Sequence, residues 1–577
     1  PGAGVGGRAA GGGRGASSPL PARDELLRLQ QQQQLGGGGS AGHFLCAAPG
    51  QCEPELQQWR QQPSALAASV SGSLDQVPGV AAQAWTPVAQ AWQAAPPAFQ
   101  GRPVGLGDVA GFMREVLSSD PFGTGQGQPY VRFSKPGPKS EPKVVAVTQR
   151  QLAFLVANVL MGNDISSGNG LTTTLSRCAS KGATGYLYSL LSLLAVLSQE
   201  LSGGQQGKML VGATPRDKDD SWKLRLENYL SAPETCVSQG EGSSCPDFMA
   251  GGTQGQALTD IAGDVVGGGG GLCDLANSQD ESLMIFYPEV LAYVFFAGPG
   301  DFVPVPWTLL GARRYLNDLV GNSERKPGPT ENKCGWVREQ DWLNQGIPSA
   351  EVQVPLNGGT VSVPASAFVA VASKSSQAVG GCPLQQAVNN NCDSQRHHVD
   401  EDLALWYQAF EPSMYPEEVQ DAFSSAISRV GTGPWGAGVW YGDSQQYFLA
   451  VWLATALLGG VGLDYYVYDH FCENPGNQCF VLGAAGCAAC IASSGVQNVN
   501  ADRCGSASMQ DMISKFTGKT AKELYLGLAS VGGPPSQVFD LLAPWQPTAA
   551  EMAAPVPGEA EAAAQAAAQA SPPSLPP

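Results

Sequence analysis

Residues 256–296 crowd carboxylates and glycines together in a pattern that could do chemistry. Gln-Ala-Leu-Thr-Asp260-Ile-Ala leads to Gly263-Asp264-Val-Val and then to five consecutive glycines, Gly267, Gly268, Gly269, Gly270 and Gly271. Leu-Cys-Asp-Leu-Ala-Asn-Ser follows, then Gln279-Asp280-Glu281, then an apolar run through Tyr287-Pro288-Glu289. Glycines let the backbone reach positive φ and let a ligand approach main-chain N–H groups closely. Adjacent carboxylates just beyond such a loop suit the cleavage of a glycosidic or phosphate-linked sugar, where one group protonates a departing oxygen. In a chain with 73 glycines the same run also serves as a surface loop.

A second glycine loop lies at Thr432-Gly433-Pro434-Trp435-Gly436-Ala437-Gly438-Val-Trp440-Tyr-Gly442-Asp443. Its glycines suit a backbone folding around a diphosphate, and the helix expected over 444–458 adds the partial positive charge of its N-terminus. Asp443 stands where it would cap that helix. Trp435 and Trp440 could wall a pocket, although large aromatics more often fill a core.

The elements that must hold these loops are partly legible. Residues 256–296 read as a short strand, a loop stripped of side chains, an acidic elbow and a helix. Thr148 and Gln151 have capping-box spacing ahead of an apolar stripe at Leu152, Leu155, Val156 and Val159. Apolar runs predict a helix over 186–201 and strands over 366–373 and 464–468, and 520–528 reads as a late helix.

The first glycine stretch resembles the signature of the poly(ADP-ribose) glycohydrolase family, a glycine triplet, six to eight residues, then Gln-Glu-Glu. Counted from Gly269-Gly270-Gly271, seven residues precede Gln279; counted from Gly267, nine do, so the register within the run stays open. Asp260-Ile261-Ala262 resembles the family's Asp-Phe-Ala-Asn, and Tyr287-Pro288-Glu289-Val290 its Asn-Pro-Glu-Leu. Gly311-Ala312-Arg313-Arg314-Tyr315 is similar to its Gly-Ala-Glu-Arg-Phe. The loop from Thr432 to Asp443 resembles its Thr-Gly-Asn-Trp-Gly-Cys-Gly-Ala-Phe-Gly-Gly-Asp. The chain departs from the family at Asp280 (Glu), Gly263 (Asn) and Pro434 (Asn). The Tyr that flanks ADP-ribose falls at Gly321 or Asn322.

The resemblance implies an α/β fold, a macrodomain-like α/β/α sandwich with a mixed sheet behind a mainly helical accessory region. It also implies hydrolysis of the ribose–ribose O-glycosidic bonds of poly(ADP-ribose), with an ADP-ribose-binding module or an extracellular interaction protein as alternatives. Glu281 would be general acid and then base, a role that needs a pocket holding it protonated. Asp280 would position the leaving ribose and Asp260 the adenine side. Gln279, residues 267–271 and Trp435, Gly436, Ala437, Gly438 and Trp440 would bind substrate. No metal or other cofactor is implied. The partners are poly(ADP-ribose) or ADP-ribosylated proteins, with no direct nucleic acid and no membrane.

Composition frames these expectations. The net charge of −18 argues against non-specific binding to nucleic acid, which needs Lys/Arg to neutralise phosphates. The boundaries read as a disordered Gly/Ala/Gln-rich tail over 1–45, a helical accessory region over 46–250, the glycohydrolase-like domain over 251–530, and a disordered Ala/Pro-rich tail over 545–577, where 559–570 reads as transiently helical in the alternative. Fourteen cysteines include close neighbours: Cys46 with Cys52, Cys236 with Cys245, Cys382 with Cys392, Cys472 with Cys479, and Cys487 with Cys490. Such pairs favour disulfides over a thiol set or a zinc site. The family implies nucleus or cytoplasm, and the paired cysteines make secretion the alternative.

Overall fold

A computed structural model of the chain describes residues 70, 74, 82–94, 96–99, 102–119, 142–161, 185–202, 208–238, 255–262, 279–295, 306–315, 350–356, 359–372, 399–437, 442–468, 476–494, 503–531 and 537–569. Helix α1 (Ala82–Ala94) precedes a short ribbon of β1 (Ala98–Phe99) and β2 (Arg102–Pro103), then α2 (Leu106–Ser118) and β3 (Lys143–Thr148). Helices α3 (Gln149–Leu160) and α4 (Gly185–Glu200) lead to β4 (Met209–Thr214) and β5 (Glu234–Ser238). Strand β6 (Gln256–Ala262) is followed by α5 (Gln279–Phe286), a 3-10 helix (Pro288–Phe295) and β7 (Trp307–Leu310). A hairpin of β8 (Glu351–Leu356) and β9 (Gly359–Pro364) comes before β10 (Ala367–Ala372). Helices α6 (Val399–Phe410) and α7 (Glu417–Ala426), β11 (Arg429–Thr432), α8 (Ser444–Leu458) and β12 (Gly462–Tyr468) follow. The rest is helical: α9 (Gly483–Ser494), α10 (Met509–Phe516), α11 (Ala521–Ser530), α12 (Val538–Leu542), α13 (Ala549–Ala553) and α14 (Glu559–Gln569).

The fold is mixed α/β, built on an eight-stranded sheet of order β3-β4-β7-β10-β6-β11-β12-β5. From β10 to β5 all neighbours are parallel, while β7, β4 and β3 join through antiparallel pairings. The apolar runs of β6 and β10 suit such strands, which are covered on both sides. Alternate side chains of β6 divide between two cores. Leu258 and Ala262 join one with α2, α3, α4 and α5, and Ala257 joins the other with α6, α7 and α8. Helices therefore cover both faces of the sheet.

Local rules explain several boundaries. Thr148 Oγ1 accepts from Gln151 N–H at 3.1 Å and Gln151 Oε1 accepts from Thr148 N–H at 3.0 Å, the capping box expected from spacing. Helix α8 is apolar all round and correspondingly buried, and it stops at Gly459, whose φ of +67° suits glycine. Pro288 cannot continue α5, so the apolar run beyond Tyr287 is a separate 3-10 helix rather than part of one helix.

The expectation of a mainly helical accessory region ahead of residue 251 needs correction. Strands β3, β4 and β5 come from that region and belong to the central sheet. The β-branched Val144, Val145 and Val147 fit a pleated strand better than a helix. In the Ala-rich C-terminal stretch, Glu559–Gln569 is helical, as the alternative reading had it, and Ala549–Ala553 is a further short helix. Residues 1–45 lie outside the described residues.

Cys479, Cys487, Cys490 and Cys504 pair, but not with their nearest neighbours in sequence, while the expected Cys46–Cys52 and Cys382–Cys392 pairs and the Cys245 end of Cys236–Cys245 lie outside the described residues. Cys479 is bonded to Cys490 and Cys487 to Cys504, which replaces the expected Cys472–Cys479 and Cys487–Cys490 pairs. Cys236 is also disulfide-bonded. Among the described residues there is no free cysteine, and no helix is long and apolar enough to cross a membrane.

Candidate functional site

The two glycine loops leave the sheet side by side. Strands β6 and β11 are parallel neighbours, with Arg429 opposite Gln256 and Gly431 opposite Leu258. Residues 263–278 and the loop from Gly433 therefore follow the carboxyl ends of two neighbouring strands in the middle of the sheet. The next described helices diverge: α5 packs into one core and α8 into the opposite one. In open α/β sheets, adjacent strands whose connections leave toward opposite faces open a crevice beyond their carboxyl ends, and ligands bind there.

On the first side, Asp260 is fully buried in β6, on the face shared by Leu258 and Ala262 and packed by α5. Helix α5 starts at Gln279, so Asp280 and Glu281 occupy its first turn rather than an elbow before it. The Asp280 side chain is buried. The side chains of Gln279 and Glu281, and the whole of Gly267, Gly268, Gly269, Gly270 and Gly271, lie outside the described ones.

On the second side, Trp435 points into the core. Its Nε1–H donates to the Ala372 carbonyl at 2.7 Å, and its ring packs against Trp406 and Tyr447. Gly436 has φ of +75°, and its carbonyl accepts from Gly442 N–H at 2.9 Å, closing the base of the loop. A Cβ on Gly442 would lie 2.1 Å from the Tyr447 ring, so only glycine fits there. Ala437 is buried, and Gly438 and Trp440 lie outside the described residues. Asp443 caps α8 as expected: Oδ1 accepts from Gln445 N–H at 3.1 Å and Gln446 N–H at 3.3 Å. That carboxylate uses the N–H groups a phosphate would need and brings its own negative charge, so the expected contribution of this helix end to anion binding is already spent.

Charged groups tie down both sides. Arg313 is 2% exposed; its N–H and Nε–H donate to Glu289, itself 0% exposed, at 2.8 and 2.9 Å. Its other guanidinium nitrogens reach Glu200 at 2.5 and 3.0 Å and the Tyr315 hydroxyl at 2.7 Å. Burial opposes the Arg313 charge most strongly, but Glu289, Tyr315 and Glu200 more than offset it and hold its pKa well above the usual value. Tyr315 N–H donates to the Phe286 carbonyl at 2.9 Å, which fastens the end of α5 to the same knot. Beside Asp443, burial pushes the Tyr447 phenol well up, with the Asp402 and Asp443 carboxylates adding to the shift.

The sequence flagged Tyr287-Pro288-Glu289 and Gly311-Ala312-Arg313-Arg314-Tyr315 separately, not their junction. The available signal was a charge inside each apolar run, which a folded chain tolerates only in pairs. A further cluster, unannounced, lies at the amino ends of the central strands. Gln256 Nε2–H donates to Asp464 at 2.6 Å, and Arg429 Nε–H donates to the same carboxylate at 2.7 Å. It lies at the opposite end of the strands from the glycine loops and fixes their register.

Among the described residues, no group of three or more His, Cys, Asp and Glu side chains is arranged to hold a metal ion. The fold is that of a mixed α/β protein in which two glycine loops leave neighbouring parallel strands at their carboxyl ends. Compared with known proteins, the chain matches no protein-family model and no curated protein.

Proposed function

We infer that this protein is a macrodomain-like hydrolase of the poly(ADP-ribose) glycohydrolase type, cleaving ribose–ribose O-glycosidic bonds to release ADP-ribose. The observation that carries this reading is the departure of both glycine loops from the carboxyl ends of adjacent parallel strands, with Asp280 and Glu281 opening α5 behind the first loop. A bond that breaks through an oxocarbenium-like ribose needs a proton on the leaving oxygen and negative charge near the ring. Glu281 gives that proton and then takes one from the attacking water. Asp280 positions the leaving ribose, Asp260 orients the adenine side, and the two glycine loops hold the diphosphate. The disulfides weigh toward an oxidising compartment rather than nucleus or cytoplasm.

A second reading, an ADP-ribose-binding module without turnover, is favoured by particular residues. Asp280 is one methylene shorter than Glu, and the inward-facing Trp435 offers no aromatic wall. Release of ADP-ribose from purified poly(ADP-ribose), wild type beside Glu281→Gln, tests both. The enzyme reading expects release by the wild type and its loss in the variant, and is overturned by release that persists in the variant. Folded wild type that binds ADP-ribose and releases none selects the binding module.

A further inference from the structure

The disulfides cross. Cys479–Cys490 and Cys487–Cys504 interleave along the chain, spanning 11 and 17 residues. They staple a small satellite core of Cys479, Phe480, Cys487, Cys490 and Ile491, with Cys504 packed against it. A cluster this small has few apolar partners besides the sulfurs, so the bridges do the work a larger core does elsewhere.

This satellite core anchors the start of α8. Gln445, in the first turn of α8, donates from Nε2 to the Phe480 carbonyl at 2.7 Å, and its Oε1 accepts from Phe539 N–H at 3.0 Å. Arg503 stacks on Phe480 with its guanidinium 4.6 Å from the ring, and Asp443 acts on its charge. The residue carrying the Phe480 carbonyl follows directly on Cys479.

The cysteines differ in access. Cys479, Cys487 and Cys490 are buried, whereas Cys504 is partly exposed. Cys487 and Cys490 share α9 three residues apart, where Cβ atoms lie about 5–6 Å from each other. A disulfide needs ~3.8 Å between Cβ atoms, so a small flexing of one helical turn brings the sulfurs together.

We propose that the crossed disulfides form a thiol–disulfide relay that accepts electrons from a dithiol reductant at Cys504 and passes them to Cys479, unpinning the turn that anchors the start of α8. In the first step a reductant thiolate attacks Sγ of Cys504, and the Cys487 sulfur leaves as thiolate. The reductant's second thiol then closes on the mixed disulfide, releasing Cys504 as a thiol and leaving the reductant oxidised by two electrons. In the second step the Cys487 thiolate attacks Sγ of Cys490, forming a Cys487–Cys490 bridge and expelling Cys479 as thiolate, which takes a proton from water. This exchange has no net electron change. A second dithiol then opens the Cys487–Cys490 bridge. The relay is independent of the glycohydrolase reading, since its readouts are bonding and amide exchange.

The test treats the full chain with limiting dithiothreitol, traps thiols with N-ethylmaleimide and maps disulfides by peptide mass spectrometry. The expected intermediate carries alkylated Cys479 and Cys504 with Cys487 joined to Cys490. Alkylated Cys487 and Cys504 beside an intact Cys479–Cys490 bridge overturns the relay, as does the appearance of all four thiols together. In Cys504→Ser the same exchange leaves Cys479 reactive without reductant, and a retained Cys479–Cys490 bridge counts against it. If that variant does not fold, trapping in the wild type decides alone. Hydrogen exchange of the trapped intermediate reads the coupling. Amides of residues 445–448 exchange roughly tenfold faster once Cys479 is free, and unchanged exchange refutes the link to α8.

Discussion

The two glycine loops are anchored from opposite ends of the helices beyond them. Helix α5 is fastened at its C-terminal end, through the Phe286 carbonyl and the buried Arg313–Glu289 pair that follows it. Helix α8 is fastened at its beginning, where Asp443 caps it and Gln445 ties it to Phe480 and Phe539. The difference separates roles. An acid that works on substrate belongs on a helix start held from behind, whereas a helix start consumed by its own cap serves as scaffold. On the proposed function, the first loop carries the chemistry and the second gives it shape.

The largest expected effect comes from the knot behind α5. Arg313→Met strands Glu289 without a cation in a fully buried site, and breaking a buried pair this way costs about 3–5 kcal/mol. Urea unfolding should show that loss, while Arg313→Met with Glu289→Leu should recover much of it, because no charge is then left in the fully buried site and Glu200, which also loses its partner, keeps access to solvent. A single variant as stable as the wild type would mean that the knot does not hold α5. Next in size is Asp443→Ala, which removes a cap and should cost about 1 kcal/mol. On the proposed function, with α8 as scaffold, ADP-ribose affinity stays as it was. Tighter binding by this variant would show that the freed N–H groups meet phosphate and would erase the contrast between the helices.

How much of this was legible follows from the range over which each rule acts. The capping box at Thr148 and Gln151, the start of α8 at Asp443 and the apolar runs of β6 and β10 are local, and the structure has them where spacing put them. Pairings between distant segments were not readable. Arg313 and Glu289 are 24 residues apart, and nothing local says that two separately noticed motifs share a charge pair. Strands β3 and β4 gave short β-branched or apolar runs among helices, and only pairing across the sheet defines them. Nearness in sequence misled for Cys479, Cys487, Cys490 and Cys504. Four allow three connectivities, and α9 carries Cys487 and Cys490 to different partners. The adjacency of the glycine loops is likewise a product of strand order, which no motif spacing encodes.

The smallest expected effect is a pH dependence confined to the second region. Asp540 accepts from Ser506 N–H at 3.0 Å, Ser506 Oγ–H at 2.7 Å and Ala507 N–H at 2.7 Å, joining α12 to the chain just after Cys504. Partial burial disfavours its charge, but these donors prevail and hold its pKa below the ordinary 3.8. A carboxylate whose folded pKa is depressed binds protons more readily when unfolded, so its stabilisation is fully present well above pH 3.8 and is lost as pH falls through the lower folded value. Acidification should therefore speed amide exchange at Ser506 and Ala507. Asp540→Asn, which keeps an oxygen acceptor but cannot titrate, should remove that pH dependence. Because Asp540 is largely solvated, the change in overall stability stays small beside that of Arg313→Met. Helix α5, which makes no contact with Asp540 among these bonds, provides the internal control. If α5 amides respond to the Asp540 substitution as strongly as Ser506 and Ala507 do, the two anchoring systems are one cooperative unit, and the division between a chemical side and a scaffold side fails.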